Sequence, residues 1–210
     1  MTAKKTAEER KAEILDATLR LADELGPDRL STQAIAREVG LTQPGIFRHF
    51  PTKQAIWEAV GGTIATRMAE GWRTAIQGRD DPVERLRGLV ISQLKLIQST
   101  PAIPAILFSR ELHAENDLLR KSVFYLLGRF HRALAEQVAQ AQATVSLRGD
   151  IHPEDAAFLL VGLVQGLAVR WSLSGRSFGL VEEGARLLDV QLGMFSAQNG
   201  GPFGPNEALR

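Results

Sequence analysis

STQAIAREVGLTQPGIFRHFPTK, residues 31–53, places two short helical patterns on either side of a glycine, and its reading decides the fold. Ser31 is a suitable N-cap. Ile35 and Val39 lie four apart on one helical face, with Ala36 beside them as a small residue that allows a close helix crossing. Gly40 follows where the chain must leave the first helix and turn sharply, a left-handed position that glycine takes without steric cost. Thr42 then caps a second helix whose first turn holds Gln43, Pro44 and Gly45; proline is tolerated there because its missing N–H would be unpaired anyway. Ile46 and Phe50 are expected to face inward. Thr52 caps a further helix with Lys53 in its first turn, where a cation opposes the helix dipole at about 0.3–1 kcal/mol. A phosphate beside Lys53 would remove that conflict.

Two helices joined in this way form a helix-turn-helix, which inserts the start of its second helix into the major groove while hydroxyls and backbone amides hold flanking phosphates. Gln43, Arg48 and Thr42 are assigned to base edges, and Thr32, Phe47, His49 and Lys53 to the sugar-phosphate backbone. Pro44 opens the helix, and Gly45 is expected to let it approach closely. The plainer alternative is an ordinary helical hairpin, common in all-helical proteins. Charge does not choose between the two: residues 1–60 hold nine Lys or Arg and nine Asp or Glu. Positive potential must therefore be local, from Arg29, Arg37, Arg48 and Lys53 set against Glu38.

From about Arg10 to Val60 the chain resembles the tetracycline-repressor (TetR) family of bacterial one-component regulators. The resemblance rests on the first helix ILDATLRLADELG, the Ala36/Gly40 spacing, the Gly45-Ile46-Phe47 step and the HFPTK exit, all in register. It implies an all-α fold: a three-helix DNA-binding domain over residues 1–52, then a helical effector-binding and dimerisation domain over residues 53–196. It also implies repression relieved by a small-molecule effector. Phe47 departs from the family pattern, which more often has tyrosine, so the hydroxyl contact to a phosphate is lost and His49, Lys53 and Thr32 must carry more of the anchoring.

The 210 residues and 44% hydrophobic content are enough for one small and one larger domain with a real core. The chain has no cysteine, which excludes thiol catalysis, disulfides and cysteine-ligated zinc. MTAKKTAEERKAE lacks an apolar signal region, so a cytoplasmic protein is expected. The longest apolar run, residues 156–169, is interrupted by Gln165 and is shorter than the roughly 20 residues that a bilayer requires. It reads as a buried helix, and no membrane partner is expected.

Helical periods run through almost every segment. Helix one spans roughly residues 8–25, with Ile14, Thr18, Leu21 and Leu25 on one face. A fourth helix begins at Lys53 and is expected to continue to about Gln77, interrupted by Gly61-Gly62, a pair that is either a hinge re-aimed by effector binding or a site that relieves a close contact or divides two helices. Asp81 and Pro82 open the next helix, whose stripe is Leu86, Leu89, Val90, Gln93, Leu94 and Ile97. A short helix is expected after Pro104, through about His113. Another, from Asp117 to about Ala143, is expected to place Phe124, Leu127, His131, Leu134 and Val138 on one face.

Buried polar groups need partners, so Gln93, His131 and Gln165 are either satisfied core residues or ligand contacts. As a pocket they would combine with Phe108, Phe124 and Trp171. The last two helices, about residues 153–174 and 181–195, read as a subunit interface. Phe158, Gly162, Gly166, Val169 and Leu173 line the first, and Leu188, Leu192 and Phe195 the second. A homodimer with two recognition helices about one DNA turn, roughly 34 Å, or a multiple of it apart implies a near-palindromic double-stranded operator. The tail, residues 197–210, is rich in glycine and proline and expected to be loose.

An enzyme is not expected. Glu111, His113 and Glu115 alternate, which on a helix turns the histidine away from both acids, and no nucleophile triad or phosphate loop stands out. No cofactor or metal is implied. A DNA-binding structural or cell-division factor of the same architecture, resembling the nucleoid-occlusion proteins, is the alternative. A sealed core without a cavity after residue 82, or a contact surface there for a protein partner, would favour it.

Overall fold

The computed structural model describes residues 5–197, and among them every regular element is a helix. Ten helices follow in order: α1 Ala7–Leu25, α2 Thr32–Glu38, α3 Gln43–Phe47, α4 Lys53–Ile76, α5 Pro82–Ser99, α6 Ala102–Phe108, α7 Arg110–Glu115, α8 Asp117–Ala143, α9 Pro153–Leu173 and α10 Leu180–Phe195. The expected loose tail lies outside the described residues, apart from Ala197.

Helix α1 begins with a capping box. The Thr6 hydroxyl accepts from the Glu9 amide, and the Glu9 carboxylate accepts from the Thr6 amide at 2.7 Å. That backbone bond, followed by the one from the Thr6 side chain, holds the Glu9 carboxyl below its ordinary range. Ile14, Ala17, Thr18 and Ala22 are fully buried where α1 meets α2 and α4, whereas Leu25 ends the helix 39% exposed.

The larger domain is layered. Helix α4 packs along α5, α8 along α9, and α10 closes against both α5 and α9. The stripe expected on α5, from Leu86 to Ile97, is buried throughout. Burying each such large apolar side chain contributes about 1.5–3 kcal/mol, so this helix anchors the domain. Helix α9 is long and apolar enough to cross a membrane by composition, but here it packs against α5, α8 and α10.

The structure departs from the sequence reading in three elements. The helix expected through His113 divides at Ser109, whose backbone is extended (φ −71°, ψ 107°) and whose hydroxyl caps α7 by accepting from the Leu112 amide at 2.9 Å. Helix α8 buries a different face in its first half. Leu119, Leu126 and Phe130 are the buried residues there, and Phe124 is 77% exposed; the expected face is recovered only at Leu134 and Val138. Helix α4 runs unbroken through Gly61-Gly62. A Cβ on Gly61 would lie 2.8 Å from Leu119 Cδ1, so this glycine makes room for α8 to approach.

Candidate functional site

The first site is the head formed by α1–α3 and the start of α4. Three hydroxyls fix its helices: Ser31 Oγ accepts from the Ala34 amide at 3.1 Å, Thr42 Oγ1 from Gly45 at 3.2 Å, and Thr52 Oγ1 from Ala55 at 3.0 Å. Gly40 adopts φ +65°, and the Leu41 amide after it closes α2 by donating to the Ala36 carbonyl at 2.8 Å. Ile35, Ile46 and Phe50 are buried beneath this turn. The outer face therefore consists of Thr42, Gln43, Pro44, Phe47 and Arg48, all exposed, with His49 and Lys53 half-buried beside them.

Electrostatically the head sorts its charges. Glu38 is taken by Arg20 at 3.0 Å, and Glu13 by Lys5 and Arg10 at 2.7 Å each. Arg37, Arg48 and Lys53 form no ion pair among the described residues, which leaves a local positive face on a region of zero net charge. Gln43 Nε2 donates to Thr32 Oγ1 at 2.8 Å, which ties the base of the second helix to the start of the first. Two residues assigned to DNA sit further in than expected. Thr32 is 7% exposed, and its hydroxyl oxygen accepts from Gln43. Gly45 is buried, and a Cβ there would lie 3.3 Å from Thr42 Oγ1. The glycine is thus explained by packing inside the head rather than by close approach to a groove.

Among the described residues, four polar side-chain contacts join this head to the larger domain, beside the packing of α1 on α6. Asp16 pairs with Arg67 of α4 at 3.3 Å, Asp23 with Arg176 of the α9–α10 turn, and Asp28 accepts from Ser109 between α6 and α7. Asn116 Nδ2 donates to the Gln54 carbonyl at 3.2 Å. The α1 helix and its following turn thus rest on carboxylates facing the domain below.

That domain contains the second site, a cavity of about 300 Å³ between α4, α5, α6 and α8. Ile64, Met68, Ile103, Ile106, Leu119 and Leu126 give it apolar walls, and Glu58, Tyr125 and Arg129 bring polar groups to it. A compartment of about 30 Å³ adjoins it, sharing Met68, Gln93, Ile103, Leu107 and Leu127 and reaching Gln165 on α9. Gly62 borders the larger cavity.

Of the six expected pocket residues, these two spaces bring together Gln93 and Gln165 only. Phe124 points outward from α8, for the phase reason given above. His131 lies on the outer α8–α9 face, against Phe158 with ring centroids 4.5 Å apart and planes tilted by 56°, and its Nδ1 is 3.2 Å from the Glu154 carboxylate. Trp171 is buried under the Arg176 guanidinium, 5.5 Å from the ring centroid, and borders neither space. Phe108 is 46% exposed and lines an open groove with Gly162, Gln165, Gly166 and Val169. Sequence reasoning missed Met68, Tyr125 and Arg129, which carry no motif. Only the amphipathic phase of α8 points to the last two.

The expected interface divides in the same way. On α9, Phe158 is 67% and Leu173 84% exposed, Gly162 and Gly166 are exposed, and Val169 is half-buried, so the stripe stands uncovered on one protomer. On α10 the assignment is corrected: Leu188, Leu192 and Phe195 are buried in the protomer's own core against α5 and α9. The apolar residues α10 exposes are Val190 and Met194.

With that geometry in place, comparisons with known proteins match both halves of the chain. A family model described as bacterial regulatory proteins of the tetR family matches residues 14–60. A second, the C-terminal region of MAATS-type transcriptional repressors, matches residues 81–197. The nucleoid occlusion factor SlmA of Vibrio atlanticus (strain LGP32) is 24% identical over 190 residues, covering 90% of this chain and 95% of that protein. Among solved structures, the fatty acid degradation regulator FadR from Bacillus halodurans superposes with a TM-score of 0.77 at 19% identity, covering 90% of this chain and 97% of that one. AibR in complex with isovaleryl coenzyme A and operator DNA superposes with a TM-score of 0.69 at 23% identity, covering 90% and 99%. At these identities the two solved structures speak for the fold.

Proposed function

The chain belongs to the TetR family of DNA-binding transcriptional regulators, and on that premise we propose that it acts as a homodimeric repressor of a near-palindromic operator, released when a small molecule fills the α4–α5–α6–α8 cavity. The observation that carries the effector is the cavity itself: a sealed core would have favoured the division-factor reading that the SlmA likeness raises. Its volume of about 300 Å³ lies at the lower end of ligand-pocket sizes, and its apolar walls with a few polar groups match the usual make-up of such pockets. Isovaleryl coenzyme A, with which AibR forms a complex, makes a coenzyme A thioester the effector class to test first.

In this reading Gln43, Arg48 and Thr42 meet base edges, and Phe47, His49 and Lys53 meet the backbone, while Thr32 holds Gln43 from below. Dimerisation uses the uncovered α9 stripe. Effector binding reaches the head through α6, because Ile103, Ile106 and Leu107 wall the cavity and Ser109, just after them, holds Asp28. A ligand that displaces α6 acts on that bond, and its leverage equals its differential affinity for the two head positions.

The test is to map chromosomal binding sites and titrate the bound fragments with isovaleryl-CoA in a gel-shift assay. Sequence-specific binding that the thioester reverses is expected. Binding that persists at saturating thioester would remove the effector class, and absence of any specific site would remove the repressor.

A further inference from the structure

Gln93 is 6% exposed at the junction of the two internal spaces, and its amide has only one way to point. Trp72 Nε1 lies 3.2 Å from Gln93 Oε1, and an indole N–H can only donate, so the oxygen end of the amide is committed to Trp72. Trp72 is itself fixed: it is buried, stacked on Phe130 with centroids 5.2 Å apart and planes at 18°, with the Arg129 guanidinium 6.0 Å from its ring centroid. The NH₂ end is therefore turned away from Trp72. Among the described residues no group accepts from it, and the residues common to both spaces are otherwise apolar: Met68, Ile103, Leu107 and Leu127. The NH₂ group is not among the polar atoms sealed from solvent without a partner, so it faces the open space, where an acceptor on a ligand can meet it.

We propose that Gln93, aimed by Trp72, is the donor that selects effectors carrying a neutral carbonyl at this depth of the cavity. The neutral class follows from charge. The inner space is lined by no ionisable residue, and the two charged residues of the larger cavity, Glu58 and Arg129, sit half-buried and exposed respectively. A carboxylate beside Gln93 would be desolvated without a counter-charge, whereas the carbonyl of a thioester, ester or ketone needs only the one donor. The inference rests on the effector reading above and adds the group that the ligand must present.

A matched pair of probes tests it: isovaleryl-CoA and its thioether S-(3-methylbutyl)-CoA, which differ by the carbonyl alone. Calorimetric titration of the full chain should give a preference of about tenfold for the thioester, the size expected of one hydrogen bond. Gln93→Met should bind both probes with the thioether's affinity. Trp72→Phe keeps a ring on Phe130 and leaves Gln93 in place but frees its amide, so it should shrink the preference without changing thioether binding; this variant keeps the test alive if Gln93→Met fails to fold. Equal binding of both probes by the wild type, or a full preference surviving in Gln93→Met or Trp72→Phe, overturns the inference and leaves the effector cavity standing. Binding of neither probe overturns the thioester reading and this inference together.

Discussion

The reading head and the cavity domain share helix α4 but are built in contrasting ways. The head turns its polar groups outward: caps from Ser31, Thr42 and Thr52, each reaching three residues along the chain, hold the backbone, and Arg48 and Lys53 form no ion pair among the described residues. The cavity draws on side chains from Glu58 to Arg129 on separate helices, mostly apolar, around one committed amide. A surface made from local bonds is stiff and repeatable, and suits a fixed partner such as a DNA groove. A space made by packing distant helices changes with each side chain, and suits partners that differ from one regulator to the next.

The difference is testable, from the largest expected effect downward. Phe158→Asp with Leu173→Asp should leave each protomer folded, since both side chains are exposed in it, but yield a monomer on sedimentation and lower operator affinity by roughly 10²–10⁴-fold as avidity is lost. Leu192→Ala, on the helix face that turned inward, should instead lower stability by about 2–5 kcal/mol in denaturant unfolding while the remaining folded protein still pairs. A monomer from Leu192→Ala with unchanged stability would restore the interface reading that burial has set aside.

Within the head, Arg48→Ala should cost about 1–3 kcal/mol and relax preference at its base pair, whereas Lys53→Ala should weaken all sites alike and lower the salt slope by about one unit. The reverse pattern in binding isotherms would refute this sorting of contacts. In α4, Gly62→Ala has open space and should raise stability by up to about 1 kcal/mol, while Gly61→Ala must displace the fully buried Leu119 and lose that gain. If the double variant also leaves operator affinity and effector response unchanged, the pair is no hinge.

The smallest effect concerns Glu9. Its carboxyl is held below the ordinary range by the Thr6 backbone bond, so its contribution is present above that range and fades as pH falls through the lowered value. Glu9→Ala should therefore narrow the stability difference from wild type as pH drops from 7 towards 3, measured by thermal melts.

How much of this is legible in the sequence follows the same division. Ser31, Gly40, Thr42 and Thr52 act on their own neighbours, so the caps and the turn can be read from residue type and spacing. Arg48 and Lys53 are legible as positive groups; their freedom from ion pairs is not, because it depends on Arg20 reaching Glu38 from another helix. Thr32 and Gly45 look outward in sequence and prove buried. In the larger domain, a continuous α5 stripe is readable because one face is covered along its whole length. Helix α8 fails as a guide because its first half borders the cavity and its second half the core, so one periodic stripe cannot describe both. Gln93 is identifiable as a polar intruder in an apolar stripe, but only Trp72, 21 positions away, shows which end of its amide is free.

Everything above the level of the single protomer depends on two copies of this head reading DNA together. Selection of duplexes from a random library by the full-length chain, followed by sequencing, tests that pairing without intermediaries. Enriched molecules should carry two inverted half-sites whose centres are about one helical turn or a multiple apart. Enrichment of a single half-site, or of none, would contradict paired reading.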